Sequence, residues 1–453
     1  MGFTSELIHS NTQFMITLKE YQKRRQKLLA KMLPNSVALI FSAPQVFRST
    51  DSEYLYRQNS YFNYLSGFHE PESLLVLVKN SQKETKSILF NRARDPLAET
   101  WSGARLGQES APKKLGIDHA LPFDEIEEHL YLFLKNQEVV YHAQDQYAYA
   151  DEIFFSACKK LRLKSRQNSS VPHVLIDWRP CLDEMRLLKS KEEINVLRKA
   201  CEISAQAHIR AMKKCRPGLY EYHLESEIQY ELSQRGARSP AYNSIVAAGE
   251  NACILHYTEN ESKLNAGNLV LIDAGCEYQG YAGDITRTFP VSGQFTAPQR
   301  ALYDIVLAAQ NKALELYKPG ISIHEVTQEV TRIITAGLIN LGILKGSLKK
   351  LHSQKAYKPF FMHGLSHWLG MDVHDVGDYG SNEKNRPLKE GMVLTVEPGL
   401  YIFSDAKVPE QYRGIGIRIE DDILITKTGN ENLTATVPKD PELIESLMSS
   451  QKA

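Results

Sequence analysis

Three of the chain's fourteen histidines fall within twelve positions, in the stretch FMHGLSHWLGMDVHDVG from Phe361 to Gly377. They are His363, His367 and His374. Imidazole can ligate a metal, carry a proton or hydrogen-bond a substrate, so the cluster alone does not choose among these. His363 and His367 stand at i, i+4, the spacing of a helical metal motif. Gly364 and Gly370 weaken a rigid helix there, and the glutamate of an HExxH motif is missing.

Four carboxylates elsewhere narrow the choice. The runs NLVLIDAG, YAGDITRTF, MVLTVEPG and GIGIRIEDDILI read as strands, and each carries a carboxylate inside or beside its apolar pattern: Asp273, Asp284, Glu397 and Glu420. An ionised carboxylate buried without a partner costs several kcal/mol or more, so such groups are paired, protonated or bound to metal. Asp273 and Asp284 flank a hairpin loop containing Gly280. A hairpin centred between Tyr278 and Gln279 sets the two aspartates directly opposite, where like charges repel unless a cation lies between them. In the fourth run Glu420 shares a face with Arg418, away from the isoleucines. In the third, Glu397 shares a face with Thr395 and Val393. Salt bridges are the bland alternative, and Arg287 and Arg418 could neutralise two of the four. Taken with the histidines, the set better fits two hard or borderline divalent ions. Its oxygen-rich character favours Mn²⁺ over a structural zinc site, which would want Cys and His.

These residues must be held by surrounding elements. A basic amphipathic segment near Leu18–Met32 reads as a helix. The apolar runs SVALIFSA, SLLVLVKN, SILFN and EVVYHA follow it, separated by helical or loop-like stretches, which is an α/β pattern. Pro180 interrupts the chain, and Ser190-Lys-Glu-Glu193 reads as a capping box opening a long helix. The domain boundary is placed at 183/184, giving an α/β domain over 1–183 and an α+β part over 184–453. In the second part helices are expected at 191–214, 221–235, 297–317 and 323–342, and strands at 268–275, 283–290, 392–397 and 414–426.

The chain has 453 residues, too many for one ordinary core. Its 54 basic and 54 acidic side chains balance, so nothing global points to nucleic acid or an anionic membrane. No apolar run reaches the length of a membrane span. MGFTSELIHSNTQF lacks a basic start followed by an apolar run, so no secretory leader is expected. The six cysteines form no CxxC pair and read as free thiols in a reducing cytoplasm. His352, between lysines, is expected at the surface, and Trp368 is expected to pack. Asp421 and Asp422 are given no ligand role, although at least one needs a local partner. Thr286 and Thr288 are expected to donate to Asp284.

The order Asp273, Asp284, His367, Glu397, Glu420 resembles the dinuclear metal site of the methionine aminopeptidase, prolidase and aminopeptidase P superfamily. LIDAGCEYQGYAGDITRTF, HGLSHWLGMDVHDVG, TVEPGLYI, GIRIEDDILIT and DSEYLYRQNSYFNYLSGFHEPES are similar to the bacterial aminopeptidase P (Xaa-Pro aminopeptidase) family in particular, and the likeness runs from about 16 to 445. The resemblance implies a creatinase/aminopeptidase P-like N-terminal domain followed by a pita-bread catalytic domain. It implies an exopeptidase that releases the N-terminal residue when proline follows, by a metal-bridging hydroxide attacking the X-Pro carbonyl. Asp273 would chelate one metal, Asp284 and Glu420 would bridge both, and His367 and Glu397 would complete the other. Glu397 would also act as general base. His256 and His374 would steady the tetrahedral intermediate and substrate, and His363 would line the proline side. Arg418 would help hold Glu420, and Tyr401 would sit close to the metals. Asp51 and Trp101 would reach a neighbouring subunit's site in a homodimer or homotetramer. The family's entrance arginine has no clear equivalent in DYGSNEKNRPLKEG; Lys384 or Arg386 would take its place, with Arg166 as a further gate residue. A prolidase, which cuts X-Pro dipeptides only, is the nearest alternative. A non-catalytic pita-bread binding protein or a creatinase-like amidinohydrolase would lack these five ligands.

Overall fold

A computed structural model describes residues 15–81, 84–164, 169–381 and 384–449. They divide into two compact units, Ile16–Met185 and a second from Arg186 onward.

In the first unit the apolar runs become a mixed six-stranded sheet. Its strands are β1 (Ser36–Phe41), β2 (Leu74–Lys79), β3 (Thr85–Asn91), β4 (His119–Pro122), β5 (Val139–His142) and β6 (Val174–Ile176), in the order β4-β3-β2-β1-β5-β6. β2 pairs antiparallel with β1 and β3, whereas β3/β4, β1/β5 and β5/β6 are parallel. Every residue of β1 is buried, which is why SVALIF is apolar without alternation. One face of the sheet, with Leu39, Val76 and Phe90, packs on Leu130 and Leu134 of α2 (Ile126–Leu134) and on Phe154 and Leu161 of α3 (Ala148–Leu163). The expected first helix is α1, Leu18–Lys31. Asp51 and Trp101 are exposed in this unit, Trp101 to 87%. Arg166 lies outside the described residues.

The second unit opens on α4 (Lys191–Lys214). Ser190 caps it: its Oγ accepts from the Glu193 N–H at 3.4 Å, and the Ser190 N–H donates to Glu193 Oε2 at 2.9 Å. Ser190→Ala is expected to cost about 1 kcal/mol, read as a shift of the urea midpoint without a change in slope. The other three expected helices are α5 (Glu221–Gln234), α6 (Ala297–Leu316) and α7 (Ile323–Asn340), within two residues of the sequence expectation. Among the described residues no helix is long and apolar enough to cross a membrane. All six cysteines are free.

Besides the two-residue strands β7 (Ser239–Pro240), β13 (Gly380–Ser381) and β14 (Lys384–Asn385), the strands of this unit depart from expectation in two places. β9 (Leu269–Asp273) lies between β8 (Ile245–Ala248) and β12 (Thr286–Pro290). The link runs through β10 (Cys276–Tyr278) and β11 (Tyr281–Ala282), which pair Tyr278 with Tyr281. Gln279 and Gly280 are therefore the two central turn residues, both with positive φ (52° and 76°), as a type I′ turn requires. The hairpin is centred one residue later than expected. Asp273 consequently pairs with Thr286, not with Asp284. The slip of two residues keeps side chains on their face.

The run 414–426 is two strands, not one. β17 (Ile415–Arg418) pairs with β16 (Gly399–Ile402), and β18 (Asp421–Ile425) pairs with β15 (Val393–Val396). The pairs Gly399↔Arg418 and Val396↔Asp421 belong to one continuous register. The interruption falls at Glu397-Pro398 on one side and Ile419-Glu420 on the other. Proline cannot donate to the ladder, and the Glu420 N–H turns instead to the Thr286 carbonyl at 3.0 Å. Glu397 and Glu420 thus occupy opposed positions at the break of a long hairpin.

Candidate active site

One cavity of about 450 Å³ gathers the chemistry. Asp273, Asp284, Glu397, Glu420, His256, His363, His367, His374 and Arg418 all line it. The other lining residues include Tyr242, Ile245, Leu255, Ser366 and Val373. Asp273 ends β9 and Asp284 precedes β12. The two glutamates sit at the hairpin break, and the histidines come from the loops around 256 and 361–374. The strand interruptions thus free carboxylates from the sheets and turn them to a common space.

Four crowded carboxylates, Asp284 and Glu420 buried and Asp273 and Glu397 half-buried, dominate the electrostatics of the site. Arg418 is the fixed cation among them. Its Nη2 meets Asp273 Oδ2 at 2.5 Å, its Nε donates to Thr286 Oγ1 at 3.0 Å and its Nη1 to the Tyr401 hydroxyl at 2.9 Å. Arg418 was expected to hold Glu420. It reaches that carboxylate only through Thr286, whose hydroxyl donates to Glu420 Oε2 at 2.6 Å. Neither threonine donates to Asp284: Thr288 Oγ1 bonds the Arg418 carbonyl at 3.0 Å. Arg287 does not neutralise any of the four, because it pairs with Asp421 at 2.6 Å. Burial pushes the carboxyls of Asp273 and Glu420 up, Glu420 well above the ordinary range, and pushes Glu397 up to about 7. Burial also acts on Asp284, but the hydrogen bond and charge of His367 outweigh it and hold Asp284 low.

The histidines divide by surroundings. His367 Nε2 lies 3.4 Å from Asp284 Oδ2 and 3.5 Å from Glu397 Oε1. Burial works against its charge, yet these carboxylates raise it to about 9. His363 is pushed down to about 3, first by burial and then by the Arg418 charge, and so is neutral. Its Nε2 meets the Tyr401 hydroxyl at 2.8 Å. Tyr401 is fully buried behind His363 and Arg418 and is not among the lining residues. The His374 ring lies 4.3 Å from that of His367, and burial followed by the His367 charge holds it below its ordinary value.

One atom each from Asp284, His367 and Glu420 come within 4.8 Å of one another. The Tyr242 hydroxyl lies 2.6 Å from Asp273 Oδ1 and 2.5 Å from Asp284 Oδ1. A tyrosine has one proton to donate, so it cannot satisfy both oxygens. Four converging carboxylates, one arginine and one imidazole form an oxygen-rich donor set with an excess of negative charge. Divalent cations fit it. Tyr242 was missed in the sequence because PAYNS carries no periodic or motif signal.

Metal-free protein should therefore hold protons that a cation must displace. The raised values of His367 (about 9) and Glu397 (about 7) and the raised Glu420 set the sign: metal affinity rises with pH up to about 9. Roughly two protons should leave each site on loading at pH 7. Calorimetry in buffers of different ionisation enthalpy counts them, and a count near zero would show carboxylates already ionised.

Other expectations resolve nearby. Asp375, beside His374, is buried against Arg186 (2.5 Å) and Lys189 (3.0 Å), which fixes the histidine loop. Trp368 is buried and stacks on Tyr379. His352 is half-buried near the surface: its Nε2 lies 3.0 Å from Thr331 Oγ1, and its ring stacks on Tyr357. Arg386 Nη1 bonds the Asp378 carbonyl at 3.2 Å. The Lys384 side chain lies outside the described residues.

Comparison with known proteins agrees with this geometry. Residues 195–427 match the model of metallopeptidase family M24, and residues 21–141 match that of the aminopeptidase P N-terminal domain. The chain is 64% identical to Escherichia coli Xaa-Pro aminopeptidase over 433 residues, covering 96% of this chain and 98% of that protein. It is 52% identical to the Haemophilus influenzae Xaa-Pro aminopeptidase, covering 95% and 97%. Among solved structures it is similar to proline aminopeptidase P II from Yersinia pestis, with a TM-score of 0.95, 66% identity and coverage of 96% and 100%. It is equally similar in fold to zinc-substituted Escherichia coli aminopeptidase P in complex with product, at 64% identity, with a TM-score of 0.95 and coverage of 96% and 99%. An aminopeptidase P-type domain thus precedes a pita-bread metallopeptidase domain, and the chain belongs to metallopeptidase family M24, among the Xaa-Pro aminopeptidases.

Proposed function

We propose that the protein releases the N-terminal residue from peptides with proline in the second position. The convergence of Asp273, Asp284, His367, Glu397 and Glu420 on one cavity carries this reading, together with the family. These five would hold two divalent ions. The oxygen-rich set favours Mn²⁺. When bound, the ions activate a water as nucleophile and polarise the scissile carbonyl.

The chain's own residues do the rest. Glu397, beside that water, takes its proton and returns it to the departing proline nitrogen. His256 and His374, on the open side of the cavity, donate to the tetrahedral oxygen and substrate backbone. His363, neutral and fixed by Tyr401, forms the wall for the proline ring. Arg418 opposes the effect of burial on Asp273 and holds it in place. An X-Pro bond has no N–H, so a peptidase that needs that donor fails on it and a dedicated pocket is chemically sensible.

The test compares an X-Pro dipeptide with X-Pro-Y tripeptides. Cleavage of the tripeptide supports the reading, and cleavage of the dipeptide alone would make the protein a prolidase. The reading also places the protein in the cytoplasm as a homodimer or homotetramer. Six free thiols support the first point. In such an assembly the exposed Asp51 and Trp101 would reach a neighbouring subunit's site.

A further inference from the structure

Thr395 is fully buried in β15, two residues before Glu397 on the same face. Residues 365–369 run antiparallel beside it. The N–H groups of Thr395 and Glu397 donate to the carbonyls of His367 and Leu365 at 3.0 and 2.9 Å, and the Leu369 N–H donates to Val393 at 3.0 Å. This register sets Thr395 opposite His367.

The hydroxyl is then fully committed. Thr395 Oγ1 accepts from the His367 N–H at 3.1 Å, and its own proton points to Glu397 Oε1 at 3.2 Å. In metal-loaded protein the carboxylate is ionised and only accepts, so the hydroxyl is the donor. Oε1 is also the oxygen 3.5 Å from His367 Nε2. Oε2 faces the other way, 3.5 Å from His363 Nδ1. That nitrogen contacts the Gly364 carbonyl at 2.8 Å, and a carbonyl can only accept, so its N–H is already used. One carboxylate oxygen is tied and the other is left free.

We propose that Thr395 is a positioning residue for the reaction: its hydroxyl locks Glu397 with Oε1 toward His367 and leaves Oε2 as the oxygen that carries the proton. The inference rests on the aminopeptidase reading. In the first step the O–H bond of the attacking water breaks as Oε2–H forms. In the second, Oε2–H breaks, the proline nitrogen gains that proton and the C–N bond parts. No other reactant is needed.

The test uses full-length protein reconstituted with manganese and an X-Pro-Y tripeptide. Thr395→Val keeps the branched shape and removes the hydroxyl; Thr395→Ser keeps the hydroxyl. The valine variant should lose about 10- to 100-fold in kcat with KM within about 2-fold, since the lost bond is to a charged group. Its metal content should match wild type, and its melting temperature should fall by only a few degrees, because the His367 N–H loses its acceptor. The serine variant should stay within about 3-fold of wild-type kcat. The proposal is overturned if Thr395→Val keeps wild-type kcat, if it changes KM alone, if serine fails as badly as valine, or if valine loses the fold or the metals, since Thr395 would then be structural. Wild-type protein that leaves the tripeptide uncut would instead overturn the aminopeptidase reading.

Discussion

Glu397→Gln is expected to lower kcat by roughly 10²–10⁴-fold while leaving the fold intact. Glutamine has the shape of glutamate and can still accept from Thr395. It cannot take a proton from the attacking water and return it to the proline nitrogen. The same change removes one of four crowded like charges, and burial already opposes that charge by pushing the Glu397 carboxyl up to about 7. The melting temperature of metal-free protein should therefore hold or rise. Kinetics on an X-Pro-Y tripeptide, a melting curve and a metal assay together decide the matter. Wild-type turnover in a folded, metal-loaded variant would remove Glu397 from the proton path, whereas lost metal with lost activity would restrict it to holding the ions.

The site was legible in the sequence because of where its carboxylates stand. A charged residue inside an apolar β pattern needs a reason, and four of them share one. The shared face of the two aspartates tolerates a shift of register. Centring the hairpin one residue early moved Asp273 from its true partner Thr286 to Asp284, a shift of two, and period-two alternation returned both side chains to the same face. Gly280 held the correcting signal, since a two-residue I′ turn puts it second and Gln279 first. The split of 414–426 was likewise foreshadowed by Pro398, because a partner strand without an N–H cannot keep a continuous ladder.

Partnerships across long sequence separation were not legible. Periodicity shows which face a side chain takes but not which distant element packs on it. Arg287 and Arg418 read as equivalent cations beside acidic strands. The fold gives Arg418 to Asp273 and takes Arg287 out of the site altogether. Tyr242 sits on a loop between two short strands, with no pattern to announce that its hydroxyl spans two aspartates. The fold of the N-terminal unit was legible only as alternation of strands and helices. Its sheet order, which places β1 between β2 and β5, depends on contacts no local window contains.

Arg287 supplies the second large effect, on stability. Its side chain and that of Asp421 are both 0% exposed. Its Nη2 bonds Asp421 Oδ1 at 2.6 Å and the Val437 carbonyl at 3.1 Å, its Nε bonds Pro438, and its Nη1 bonds the carbonyls of Thr286 (2.9 Å) and Glu420 (2.5 Å). One guanidinium thus ties β12 and the segment before β18 to the C-terminal stretch. Arg287→Met keeps an apolar stem and leaves Asp421 with Lys439 as its remaining cation, at 2.7 Å. Breaking a buried pair from one side costs about 3–5 kcal/mol, which in a unit of this size lowers Tm by on the order of 10 °C. The loss should depend on pH in a defined direction. Burial acts to raise the Asp421 carboxyl, but the charges of Arg287 and Lys439 overwhelm it and hold it far below the ordinary range. A depressed carboxylate contributes stability above its unfolded value of about 3.9 and loses it as pH falls toward the folded one. Without Arg287 that carboxyl rises, so acid costs the variant less than it costs wild type. The gap between the two melting temperatures should hold steady from pH 7 to about pH 4 and narrow as pH falls further, below the unfolded value of about 3.9, in metal-free protein. Equal melting temperatures at pH 7 would mean that Lys439, Gln310 and Thr434 satisfy Asp421 unaided. A gap that stayed constant with pH would mean that the lost carbonyl contacts, and not the ion pair, carry the effect.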